Sequence, residues 1–219
     1  MALKDLIVHL DQSERTAARL ALAVSLAREQ GAKLIGIFAQ RAHATKVGVV
    51  STWPSEEFTQ ACNASKASFE AATAGLPGAQ WRYINRGGEA EVTRHFVDLA
   101  RHADLVIMGQ HEHSNHLAPE ELVTEVVTGC GRPVLILPYI GNFIEVGKTP
   151  LIAWNNAPEA ARALNDALVL MTGCKQAYVV SASARLEDGE ASCAEVEQHL
   201  AAHGIPAKTE VVLVQDFGI

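Results

Sequence analysis

The 219-residue chain lacks any apolar run that approaches the roughly 20 residues needed to cross a bilayer, so no transmembrane helix is expected. Its first residues enter a strand-like run at once, without the layout of a secretory signal peptide. Basic charge is also scarce. Lys and Arg total 18 against 25 Asp and Glu, and the net charge of −7 argues against a nucleic-acid-binding surface or binding to an anionic membrane.

Cysteine pairs and several familiar site motifs are missing as well. The four cysteines include no Cys-x-x-Cys pair, which indicates reduced thiols and predicts a cytoplasmic protein. There is no Walker A motif, no G-x-S-x-G, no G-x-G-x-x-G and no His-Glu-x-x-His. No residue pattern supplies a positioned base, a magnesium site or a cationic clamp for phosphoryl transfer. We therefore expect the protein not to be an enzyme, and slow nucleotide hydrolysis is the weakest alternative.

What the sequence does contain is a globular composition, 48% hydrophobic and 20% charged, arranged as strands that alternate with helices. Five short apolar strands are predicted at Leu6–Leu10, Leu34–Phe38, Trp81–Ile84, Leu105–Met108 and Pro133–Leu137. We expect Ser13 to cap the first helix and Gly31 to end it. Strands that alternate with helices predict a parallel sheet with right-handed crossovers.

The same pattern restarts after a short linker that contains Gly141 and Gly147. Its predicted elements are a strand at Leu151–Trp154, a helix with Pro158 in its first turn, a strand at Ala177–Val180, a helix at Ala194–Ala202 and a strand at Val211–Val214. These correspond to the first five elements of the opening unit, and the last four have no counterpart. The sequence therefore predicts a complete domain over residues 1–140 and a partial repeat of it over 148–219.

Several segments occur in a characteristic order and spacing: Val8–Asp11, Ser13–Ala17, Asp104–Gly109, Arg132–Pro138, Leu151–Asn156 and Glu159–Ala163. On these segments the chain resembles the universal stress protein family in its tandem form. The resemblance implies an α/β fold, in which an open parallel five-stranded sheet of order 3-2-1-4-5 carries helices on both faces and is followed by the partial repeat. It also implies a role in the stress response.

In that strand order, a ligand crevice opens at the carboxyl ends of strands 1 and 4, where the chain reverses direction. The resemblance implies that an adenine nucleotide (AMP, ADP or ATP) binds there. Asp11 would contact the nucleoside and Ile37 would lie against the base. Gly109 would be the first glycine of the phosphate-binding pattern G-x2-G-x9-G-S/T. A different role for Asp11, capping the first helix, is the alternative.

The rest of that glycine pattern is absent. Glu112 stands at the second glycine position, and Glu120 and Glu121 lie near the expected Gly-Ser pair. Side chains obstruct the close approach of backbone to phosphate, and three carboxylates would repel a triphosphate. We therefore expect AMP or adenosine to be favoured over ATP.

The same loop carries His111, His113 and His116. Imidazoles and the nearby glutamate are ligand types that Zn²⁺ or Ni²⁺ accepts, which makes a metal-binding loop an alternative. The spacing H-x-H-x2-H matches no established metal motif, so a solvated polar loop is the default expectation. A third hypothesis is a pH response, since these histidines would become charged below about pH 6.5 and offset the glutamates.

The incomplete second unit bears on assembly. Without its last two strands, the strand Leu151–Trp154 is expected to be an unprotected apolar edge. Asn155 stands where the first unit has Asp11. We expect the chain to be part of a longer tandem protein, and a homodimer to compensate for the missing half. A dimerisation or docking scaffold that binds no ligand is the remaining alternative function.

Overall fold

A computed structural model describes residues 2–42, 45–47, 50–85, 88–111 and 117–214. The chain divides into two compact units, Met1–Ile144 and Glu145–Ile219. Within the described ranges, no helix is both long and apolar enough to span a membrane.

The first unit is built on one parallel sheet. Its elements are β1 (Asp5–Leu10), α1 (Thr16–Gln30), β2 (Lys33–Ala39), β3 (Thr45–Val47), β4 (Val50–Thr52), α2 (Glu56–Ala72), β5 (Gln80–Ile84), α3 (Glu89–Ala100), β6 (Leu105–Gly109), α4 (Leu122–Gly129) and β7 (Val134–Leu137). The sheet runs in the order β5-β2-β1-β6-β7, and every neighbouring pair in it is parallel. Counted along these five strands, the order is 3-2-1-4-5, and the predicted α/β fold is confirmed.

The two faces of this sheet are covered by different helices. Phe96 of α3 and Val126 of α4 pack in one buried cluster with Ile37 of β2. Gly36, the neighbouring residue of β2, faces the other way because successive residues of a strand alternate between faces. A Cβ at this position would lie 2.6 Å from the Phe69 ring of α2, so a glycine lets that helix pack closely on the sheet.

The second unit has a smaller parallel sheet. Its elements are β8 (Leu151–Trp154), α5 (Pro158–Ala167), a 3₁₀ turn (Leu168–Met171), β9 (Ala177–Ser183), α6 (Leu186–Ala202) and β10 (Ala207–Leu213). The strand order is β10-β9-β8, and β8 is an edge strand of this sheet. Three strands in this order fit a partial second unit, with the order that β5-β2-β1 has in the first.

Three local expectations need correction. Helix α1 begins at Thr16, and Ser13 does not cap it, because the Ser13 hydroxyl donates to the Asp11 carboxylate instead. The stretch before α2, expected to be a loop, contains the antiparallel pair β3–β4. Helix α6 is about twice as long as predicted. The glycine that made its first turns look unlike a helix, Gly189, lies close to β10, where a Cβ would be 2.6 Å from Val211 Cγ1.

Candidate functional site

The carboxyl ends of β1 and β6 meet at the point where the strand order reverses. Asp11 follows β1 directly and Gly109 is the last residue of β6, so the fold brings these two predicted site residues together. Both line a cavity of about 30 Å³, which we call the switch-point cavity. Its lining also includes His9, Ser13, Arg15, Arg19, His111, Pro119 and Leu122. One water needs roughly 10–15 Å³ of such space, so the cavity has room for about two waters and not for a nucleotide.

The space at the switch point is taken up by Arg19 of α1, which is only 3% exposed. Its Nε donates to the His9 carbonyl oxygen at 2.6 Å, and its Nη2 donates to Asp11 Oδ1 at 3.0 Å. The same Nη2 donates to Thr16 Oγ1, also at 3.0 Å. A guanidinium held by three acceptors is fixed in place, and its charge is balanced by the Asp11 carboxylate.

Asp11 is therefore occupied within the fold. Its Oδ1 accepts hydrogen bonds from the Ser13 backbone N–H at 3.0 Å, the Ser13 hydroxyl at 2.6 Å and the Thr16 hydroxyl. Burial alone would raise the pKa of Asp11, but the Arg19 guanidinium, His9 and these two hydroxyls outweigh it and hold the pKa well below its usual value. The carboxylate organises the start of α1 without being its N-cap, which is Arg15.

His9 lies beside this pair on β1 and is 3% exposed. Burial lowers its pKa below 6.5, while the Asp11 carboxylate, with its Oδ2 4.0 Å from Nδ1, acts in the opposite direction. Its Nε2 lies 2.8 Å from the Ala39 carbonyl oxygen and donates to it, and its ring meets Phe96 edge to face at 5.5 Å. A neutral His9 thus links the ends of β1 and β2.

Gly109 has a steric role here. A Cβ at this position would overlap Nη1 of Arg19, so glycine is needed for the guanidinium to lie against β6. The resemblance predicted a glycine at this position for the approach of phosphate, whereas in this structure the glycine accommodates an arginine of the same chain.

Other predicted site residues are placed differently. Ile37 is fully buried in the cluster under α3 and α4 and is not in the lining of the switch-point cavity. His111 lies at the rim of that cavity, whereas His113, His116 and Glu112 fall outside the described residues. The described ranges contain no group of three or more His, Cys, Asp or Glu side chains that could hold a metal ion.

The acidic residues that follow the loop are on the surface. Glu120 and Glu121 are exposed, and Glu121 directly precedes α4. The first turn of α4 also carries Glu125. Backbone N–H groups at a helix start attract anions, but neighbouring carboxylates oppose that attraction.

A second and much larger cavity lies at the carboxyl ends of β1 and β2, and we call it the β1–β2 cavity. It encloses about 510 Å³, within the roughly 300–1,000 Å³ typical of small-molecule sites. Its lining comprises Gln12, Gln40, Arg41, Ser55, Glu57, Phe58, Gln60, Ala61, Ala64 and Leu117. Arg41 forms an ion pair with Glu89 at 2.6 Å, and its backbone N–H donates to the Leu117 carbonyl oxygen at 2.7 Å.

Gln40 is the unusual residue of this cavity. It follows β2 directly, is 2% exposed, and donates from Nε2 to Gln12 Oε1 at 2.8 Å. Its own Oε1 is buried and accepts no hydrogen bond within the described part of the chain. An unsatisfied buried acceptor costs about 1–3 kcal/mol, so one that lines a ligand-sized cavity is well placed to bind a donor from a ligand.

Sequence reasoning missed both Arg19 and Gln40. Arg19 was hidden among the polar positions of an amphipathic helix, although it comes three residues after Thr16 and eight after Asp11. Gln40 was missed because β2 was expected to end at Phe38 and ends at Ala39. A polar residue directly after a buried strand was the available signal.

Solved structures of universal stress proteins resemble this fold. One from Archaeoglobus fulgidus DSM 4304 matches with a TM-score of 0.65 and 16% identity, over 95% of this chain and 77% of that one. A universal stress protein in complex with cAMP matches with a TM-score of 0.42 and 18% identity, over 63% of this chain and 98% of that one. A universal stress protein from Archaeoglobus fulgidus in complex with dAMP has a TM-score of 0.41 and 12% identity, over 62% and 98% of the two chains.

By sequence, the chain matches no protein-family model and no curated protein. The first structural match extends over both units and agrees with the strand order described above. The chain therefore has the universal stress protein fold.

Proposed function

We propose that this chain is a stress-response protein whose first unit binds adenosine or AMP in the β1–β2 cavity, and that it acts by binding and not as an enzyme. The observation that carries the proposal is the buried, unsatisfied Oε1 of Gln40 in a cavity of about 510 Å³. As part of the same proposal we place the protein in the cytoplasm as a homodimer. Its four cysteines, Cys62, Cys130, Cys174 and Cys193, are buried free thiols.

The chemistry of adenine fits the acceptor that Gln40 offers. The exocyclic amino group of adenine is a donor, and Gln40 Oε1 is an acceptor without a partner, while Gln40 Nε2 is already held by Gln12. Phe58, which also lines the cavity, offers apolar surface. Glu57 adds a carboxylate that can accept from ribose hydroxyls.

The switch point supports a small ligand over a triphosphate. A triphosphate chain that extended toward β6 would meet Arg19 clamped on Asp11, in a cavity of about 30 Å³. The exposed Glu120 and Glu121 beside it add repulsion. Adenosine needs none of this space, and AMP needs little of it.

The test is a thermal-shift and calorimetric titration of the full chain with adenosine, AMP, ADP and ATP. Free ligand at 100 times its dissociation constant adds about 2.7 kcal/mol to the free energy of unfolding. We expect adenosine or AMP to stabilise the protein more than ATP. The variant Gln40→Leu removes the acceptor and should weaken binding about tenfold or more. Gln60→Leu, at an exposed position of the same lining, is the matched control and should leave affinity within about twofold. Tighter binding of ATP, or full binding by Gln40→Leu, would contradict the proposal.

The second candidate function is a scaffold that binds no nucleotide. It is favoured by one observation, namely that Asp11 is already engaged by Arg19, Ser13 and Thr16. If none of the four ligands changes the unfolding temperature, with and without a divalent metal, the scaffold replaces the nucleoside site as the proposed function.

A further inference from the structure

One face of the second-unit sheet is uncovered. Both helices of the unit pack on the opposite face, where Leu164 of α5 and Val196 of α6 join a buried cluster with Val179 of β9. The uncovered side, which we call the bare face, alternates with these buried positions. Its residues are Leu151 and Ala153 on β8, Tyr178, Val180 and Ala182 on β9, and Lys208, Glu210 and Val212 on β10.

The bare face is apolar and open to solvent. Leu151 is 71% exposed, Tyr178 41% and Val212 46%. Strands of a parallel sheet are normally buried on both faces, and in the first unit α3 and α4 cover the corresponding side. A contiguous exposed apolar patch with a few polar residues is typical of a protein interaction surface.

The register of the three strands arranges the bare face in rows. Leu151 pairs with Tyr178, and Tyr178 pairs with Lys208, so these three large side chains form one row across the sheet. The next row contains Ala153, Val180 and Glu210. The first row is bulky and ends in a positive charge, whereas the second is small and ends in a negative charge.

We propose that the bare face is the docking surface for a second copy of this chain, packed face to face about a twofold axis that passes between the two rows. Such an axis places the large row of one copy over the small row of the other, since in a twofold interface each contact occurs twice with the roles exchanged. Tyr178 then lies over Val180 of the partner subunit, and Lys208 lies over Glu210 of the partner subunit.

Charge is what makes a second copy the occupant. Lys208 and Glu210 are both exposed, and neither forms an ion pair in the part of the chain that the structure describes. On one copy they are adjacent opposite charges, so across the axis they form two equivalent complementary pairs. A partner of different sequence would need to present both charges in this arrangement, whereas a copy of the chain does so by symmetry. This interface goes beyond the nucleoside site and does not depend on it.

The experiment uses sedimentation of the full chain and of charge-reversal variants at low salt. The wild type should sediment at twice the 23.5 kDa mass of one chain. Lys208→Glu puts two like charges opposite each other in both pairs, as does Glu210→Lys, and each should weaken the dimer about tenfold or more. A mixture of the two single variants should form heterodimers, because both pairs across the axis then join a carboxylate of one variant to an ammonium of the other. The double variant K208E/E210K should dimerise as the wild type does.

The matched control is Glu197→Lys, which makes the same charge change at an exposed position of α6, on the covered side of the sheet. It should leave the dimer unchanged. A monomeric wild type, a dimer that tolerates both single reversals, or a mixture that stays monomeric would each overturn the proposal. Circular dichroism of every variant shows that the fold is kept, which is expected since the substituted positions are exposed.

Discussion

At the scale of single residues, Arg19 decides what the switch point can hold. Its guanidinium lies against Gly109 and donates to both the His9 carbonyl oxygen and the Asp11 carboxylate. Removing one partner of a buried ion pair leaves the other charge uncompensated, which usually costs about 3–5 kcal/mol. The pair is thus a part of the fold as well as a rim of the candidate site.

The pKa shifts of His9 and Asp11 predict a specific pH dependence of stability. Both pKa values are lowered in the folded chain, so both groups bind protons more readily when it unfolds. The free energy of unfolding should therefore fall from pH 7 to pH 5 through His9, and fall further below about pH 4 through Asp11. Urea unfolding across this range measures it. His9→Gln keeps a donor for the Ala39 carbonyl and should remove the part between pH 7 and pH 5, whereas an unchanged slope would show that other groups cause it.

The steric role of Gly109 predicts opposite outcomes at two glycines. Gly109→Ala should destabilise the chain by about 1–3 kcal/mol, because the new methyl group displaces the clamped Arg19. Gly129→Ala, in the last turn of α4, should be stabilising by up to about 1 kcal/mol, because its Cβ would lie 3.4 Å from Val97 Cγ1 and alanine favours helix. Denaturant midpoints compare the two, and equal effects would contradict the packing described for Arg19.

At the scale of elements, helices α1 and α2 begin in different ways. Ser55 caps α2, with its hydroxyl accepting from the Phe58 N–H at 3.1 Å, while α1 has no side-chain cap. The start of α1 is held instead by the Asp11 carboxylate, which is out of reach of the usual capping signal. Helix α2 forms one wall of the β1–β2 cavity, so its cap also affects the candidate site.

We therefore expect Ser55→Ala to lower the free energy of unfolding by about 1 kcal/mol. The same substitution at Ser68, an exposed position inside α2, is the control and should change stability by less than about 0.5 kcal/mol. Urea titration distinguishes the two variants. If Ser55→Ala proved as neutral as Ser68→Ala, the cap would contribute nothing.

At the scale of the whole molecule, the division into two units predicts where a protease cuts first. The segment after β7 carries exposed Tyr139, Ile140 and Phe143 and ends at the boundary between the units. Limited digestion with chymotrypsin should cleave there first, because exposed connecting segments are preferred cleavage sites. Mass spectrometry identifies the fragments, and Phe143→Ala together with Tyr139→Ala should slow the cut. Initial cleavage inside either sheet would contradict the division.

The sequence by itself determined the architecture. The apolar strands and amphipathic helices fix a parallel sheet, and the spacing of the segments that resemble universal stress proteins fixes its order, because each local pattern has few alternatives. It also placed Asp11 and Gly109 at one edge of the sheet, since both end strands that the order makes neighbours.

Only the tertiary structure decided what fills that edge. Whether a carboxylate meets a ligand or an arginine of its own chain depends on how α1 lies over β6, and helical periodicity does not encode that placement. The same holds for Gln40, whose burial follows from where β2 ends and α2 begins. Local patterns specify which face of an element is apolar, whereas the partner of a buried polar group depends on distances between elements that are far apart in the chain.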